Sequence, residues 1–112
     1  MNNATMKAAQ VRHLRSQIAV NPVAVTLTRD GNNVTVSATF SNITDRHIHR
    51  VTGMDAGKAR TLYTVADDWT PLTPVDGEVL VTATGERLRI RRTMPEADGA
   101  GLVLVVTGEF DN

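Results

Sequence analysis

The chain has 112 residues, with twelve Lys and Arg balancing twelve Asp and Glu, and no cysteine. That length fits one domain. Zero net charge argues against a basic coat for nucleic acid or an acidic tail protein, and the missing thiols exclude disulfides, a thiolate nucleophile and Cys-ligated metal centres. No apolar run approaches the ~20 residues that span a bilayer. The N-terminal stretch lacks the continuous apolar segment of a secretory leader, so a soluble, intracellular protein with no membrane partner is expected.

Composition points to strands. Val occurs 14 times and Thr 15 times, and such β-branched side chains favour pleated backbone over helix. Aromatic residues are 4% of the chain (Phe40, Tyr63, Trp69 and Phe110), so the core rests on Val, Leu and Ile and buries little area per residue. The expected fold is mainly β: a single domain over 1–112, with an N-terminal helix in 1–20. A small six-stranded antiparallel barrel or sandwich follows in 21–112.

Residues 4–19 carry the helix. Asn3 or Thr5 suits the N-cap, and Ala4, Ala8, Val11, Leu14 and Ile18 recur at helical spacing as a narrow apolar stripe. Lys7, Arg12, His13 and Arg15 make the remainder basic, without the aromatic anchors of a lipid-binding helix. Packing on the protein's own sheet or on a neighbouring subunit accounts for the stripe. Pro22 stops the helix.

Val23, Val25 and Leu27 alternate with polar or small residues, and so do Val34, Val36, Ala38 and Phe40. Arg29-Asp30-Gly31-Asn32-Asn33 between them tolerates positive φ, which predicts an antiparallel hairpin with Val23, Val25, Leu27, Val34, Val36 and Phe40 buried. Residues 41–59 lose both periodicities and read as a long loop. Further strands are expected at Arg60–Ala66, Glu78–Ala83, Arg87–Arg92 and Leu102–Thr107. A connector containing Pro71 and Pro74, an Asp76-Gly77 turn, a tight turn at Thr84-Gly85-Glu86 and a loop over Met94–Gly101 separate them. Leu102–Thr107 is apolar on both sides and needs cover on both faces.

Chemistry is sparse. Asp45, His47 and His49 share one face of an extended strand, as a zinc or iron site would require. Arg46 and Arg50 flank them and oppose a cation, so a solvated loop is the simpler reading and no metal is assigned. Ser16, Ser37 and Ser41 lie in no nucleophile elbow. Asp67 and Asp68 are adjacent, so on a strand they point to opposite faces and make no acid–base pair. No phosphate-cradling glycine run is present. The chain reads as a non-enzyme without a cofactor.

Charge is unevenly distributed. Residues 1–60 hold eight Lys and Arg against three acids; residues 61–112 hold four Arg against nine acids. Such a dipolar chain suits self-association through complementary charge, unless the halves interleave and the dipole cancels. In Arg87–Arg92, Leu88 and Ile90 point inward while Arg87, Arg89 and Arg91 form a ladder that needs acids or phosphates opposite it. Glu78 is the nearest candidate partner. Asp67, Asp68, Arg87, Arg89 and Arg91 are therefore the candidate inter-subunit charges.

Residues 63–106 resemble the head–tail connector proteins of tailed bacteriophages, the stopper or head-completion family. The shared pattern is a strand, the Pro-containing connector Trp69–Pro74, Asp76-Gly77 before a Val-rich strand, and the turn at Gly85-Glu86. A strand of the Leu88-Arg89-Ile90 type and an acidic Gly-containing loop (Glu96–Gly101) then lead into the last Leu/Val strand. The resemblance implies a β-barrel in a homo-oligomeric ring of the virion neck, assembled in the host cytoplasm. The ring would meet portal or adaptor proteins on one side and tail proteins on the other, and help retain packaged double-stranded DNA. It carries no catalytic residues. Loop 41–59 matches the position of the family's channel loop, which makes Arg46, His47, His49, Arg50 and Lys58 the candidates for sequence-independent contact with DNA phosphates. The regular helix and the Pro71/Pro74 pair depart from the pattern and also suit an adaptor-like or tail-side relative. A tail terminator, a capsid-decorating protein and a small cellular β-barrel binding module stay open.

Overall fold

The structure, a computed structural model, describes residues 3–41, 59–96 and 99–108. Helix α1 spans Asn3–Val20. Beyond it the Asn21 N–H donates back to the Ile18 carbonyl at 3.2 Å, and Pro22 ends the run. Of its stripe, Ile18 is buried, Val11 and Leu14 are half-buried and Ala8 is exposed. No helix is long and apolar enough to cross a membrane among the described residues.

Strands β1 (Val23–Arg29) and β2 (Asn32–Phe40) form the expected hairpin. Its turn is tighter than the five-residue connector suggested. Asp30 and Gly31 both take positive φ, 52° and 82°, and Arg29 already pairs with Asn32. Two successive left-handed residues give the turn twist that matches paired strands. Val25, Leu27, Val36 and Ala38 are buried, and Val23, Val34 and Phe40 pack partly buried on the same core. Thr35 faces water.

The remaining strands are β3 (Ala59–Val65), β4 (Val79–Thr82), β5 (Arg87–Pro95) and β6 (Gly101–Gly108), with a 3-10 turn at Ala66–Trp69 after β3. All neighbouring pairs are antiparallel, and the sheet closes in the order β1-β2-β3-β6-β5-β4. Of the two expected architectures, the barrel is the one formed. Strand β5 runs three residues past the expected end at Arg92, because a bulge between Ile90 and Arg92 lets it resume pairing with β6 as far as Pro95. The bulge also turns Arg92, which strict alternation would send inward, to the outside opposite Val105.

The interior is filled by Val25, Leu27, Val36, Ala38, Leu62, Leu80, Leu88, Ile90, Leu102, Leu104 and Val106, with Trp69 closing one end. Trp69 is fully buried. Its indole N–H donates to Thr64 Oγ1 at 2.8 Å, and that hydroxyl donates to the Leu102 carbonyl at 2.7 Å. The tryptophan thus joins the 3-10 turn, β3 and β6 with its one polar atom satisfied. At the opposite end Arg60 lies 4.5 Å above the Phe40 ring and reaches Glu86 at 2.6 Å.

Residues Gly101–Thr107 are buried without a break, as the unbroken apolar run predicts. Helix α1 lies against β3 and β2 and reaches β6 at that strand's first residue. Gly101 sits beneath it, where a Cβ would come within 2.7 Å of Glu96 Cγ and 3.2 Å of Leu14 Cδ1. Ala59 and Val105 form a second small buried cluster, with Met94 packed against it.

Candidate functional site

The 3-10 turn that carries Trp69 inward carries Asp67 and Asp68 outward, and both carboxylates meet α1. Arg15 forks onto Asp68 with two bonds of 2.9 Å, and Lys7 lies 3.2 Å from Asp67. The partners are separated by 60 and 53 residues in the chain. The hydrogen bonds that the Arg15 guanidinium donates to the Asp68 carboxylate hold it above its usual pKa. These two acids, candidates for contact between subunits, therefore serve first to seat the chain's own helix. Asp67 keeps 66% of its side chain in solvent.

The arginines occupy a different wall. Arg87 and Arg89 share the outer face of β5 with Arg91 and Arg92, while Leu88 and Ile90 are buried inside, as the alternation predicts. Arg89 donates to the Gly77 carbonyl at 2.8 Å and Arg91 Nε to Thr107 Oγ1 at 2.9 Å. The side chains opposite in register are Val79 and Val81 on β4, and Val105 and Thr107 on β6. In the six-strand order β5 is three places from β2 in either direction. Helix α1 lies on β3 as well as β2, and β3 is two places from β5, so the arginine strip and the helix-covered wall are separate faces of the barrel.

Glu78 pairs with a different arginine. Arg29, from the end of β1, takes both its oxygens at 2.9 and 2.6 Å, and the Val75 N–H donates to it at 2.8 Å. The hydrogen bonds from Arg29 push the Glu78 carboxyl below the usual carboxylate range, against the opposing effect of partial burial. The pairing of β1 with β4 brings these residues together across 49 positions. Sequence proximity suggested the β5 ladder as the partner; barrel closure supplies another.

Two clefts flank α1. One, of about 370 Å³, is lined by Arg15, Ile18, Ala19, Pro22 and Ser37. The other, of about 250 Å³, lies among Gln10, His13, Leu14, Gln17, Tyr63 and Glu96. Neither was visible in the sequence, because each needs the helix set against β2 and β3. The channel-loop candidates Arg46, His47, His49, Arg50 and Lys58, and the Asp45 considered with them as a metal ligand, lie outside the described residues. Among the described residues no group of three or more His, Asp or Glu side chains is placed to hold a metal ion. In comparisons with known proteins, the chain matches no family model, no curated protein and no solved structure.

Proposed function

We propose that the chain is a structural subunit that assembles into a homo-oligomeric ring at the neck of a tailed bacteriophage, between the portal side of the head and the tail. The observation that carries the reading is the inequality of two separate walls of the barrel. One presents the arginine strip of β5; the other presents α1 clasped to Asp67 and Asp68. Two unlike faces are what head-to-tail association around a ring requires, whereas a two-fold dimer uses one face twice. The resemblance over residues 63–106 supplies the neck as the setting. Retention of DNA follows from the same resemblance and belongs to residues 41–59.

Electron microscopy and mass photometry of the purified chain, alone and with any portal protein whose gene neighbours its own, test the reading. Rings are expected, with assembly weakened by salt and by Arg91→Gln with Arg92→Gln. A chain that stays monomeric at every concentration, binds no portal ring and is encoded away from portal and tail genes overturns it and favours a cellular binding module.

A further inference from the structure

We infer that α1 is an exchangeable arm whose seat on the barrel accepts the α1 of a second copy of this chain, and that this exchange links neighbouring subunits. The inference builds on the ring reading.

The first support is separability. None of the twelve buried residues that fill the barrel comes from α1, and the six strands close on one another without it. Among its described side chains the helix contributes one that is buried, Ile18, with Val11 and Leu14 half-buried. It is also attached through the pairs Lys7–Asp67 and Arg15–Asp68, with 39% and 54% of the cationic side chains in solvent. Exposed pairs of this kind are individually weak and screened by salt. An element held this way opens at lower free energy than the barrel beneath it.

The second support is the hinge. Asn21 and Pro22 alone join α1 to β1, and proline stiffens the junction. Short hinge loops invite exchange between copies. The third support is the seat itself, which identifies the occupant. Beneath the helix lie Tyr63 and Gly101, the latter with no side chain where Leu14 descends. Asp67 and Asp68 flank this surface at the spacing that receives Lys7 and Arg15. The complement to such a surface is another α1, since an exchanged helix remakes the same contacts in trans.

Charge-swap complementation tests the inference. R15D and D68R each set like charges together when α1 docks on its own barrel. In an equimolar mixture only exchange between the two variants sets opposite charges together at both seats. With one variant ¹⁵N-labelled, native mass spectrometry should find mixed species about fivefold above the statistical proportion, the ratio that ~1 kcal/mol provides. The excess should fall as salt rises. Emission from the buried Trp69 reports that each variant keeps its barrel. The double variant R15D/D68R restores the pair within one chain and should mix with itself as the wild type does. Rings in the micrographs with statistical mixing would overturn arm exchange and leave the ring reading standing. Monomers throughout would overturn both.

Discussion

Along β1 the outward side chains are Ala24, Thr26 and Thr28, with water on them; along β6 they are Val103, Val105 and Thr107, all buried. On the open wall the hydroxyls satisfy one another. Thr26 and Thr35 meet at 2.7 Å across β1 and β2, and Thr28 donates to Asn33 at 2.6 Å. On the covered wall Thr61, 1% exposed and opposite Val105, has no partner for its Oγ1. The same residue type thus stabilises pairing where water remains and costs free energy where water is excluded. Cover, rather than strand propensity, decides what the outer face of this barrel can carry.

The contrast is tested most severely by placing a charge on each wall. Val103→Asp buries a carboxylate opposite Tyr63 and Met94, with no cation in register on either neighbouring strand, and should cost more than about 4 kcal/mol. Thr35→Asp, also outward but exposed, should stay within about 0.5 kcal/mol. Urea unfolding followed by circular dichroism compares them, and similar losses would erase the distinction between walls. Trp69→Phe comes next. It removes the bond to Thr64 and leaves a small cavity where the larger indole stood, so a loss of about 1–3 kcal/mol is expected. Because the chain has one tryptophan, dichroism must replace fluorescence in that measurement.

Thr61→Val should act in the other direction, raising stability by about 1 kcal/mol because it removes an unsatisfied buried hydroxyl while keeping the β-branched shape. The same change at Thr26 should lower stability slightly; a gain at both positions would mean that simple apolarity, not cover, is being measured. The smallest effect is read by pH on the open wall. Glu78 is held below its usual pKa by Arg29, so in acid the unfolded chain takes up the proton first. Its contribution is complete above the ordinary carboxylate value and lost as pH falls through the lowered one. Glu78→Gln should flatten this part of the acid limb of the stability curve.

Alternation in β1 and β2 and the Asp30-Gly31 pair made the hairpin legible, and the unbroken apolar run of β6 announced a strand covered on both faces. These are local signals, read within a few residues. Closure into a barrel was not readable, since the seams β2–β3 and β1–β4 are short, with three residue pairs each, and carry no motif. The bulge at Arg91 was hidden because arginines on both sides of it leave no hydrophobic step to mark the change of phase. The arginine strip was legible as a ladder of three and lengthened to four by that bulge. The clasp of Lys7 and Arg15 on Asp67 and Asp68 joins residues more than 50 positions apart. Both halves were noticed as charged, but only the fold could pair them.

Closure of the sheet has a consequence for any assembly this chain enters. Closure gives every strand from β1 to β6 a neighbour on both sides, so a partner finds no full-length edge strand on which to add another. Contacts made on the barrel wall are then written mainly in side chains, which differ at each position. Backbone pairing is tolerant of sequence and invites uncontrolled stacking; side-chain recognition is specific. A surface of this kind selects its partners residue by residue.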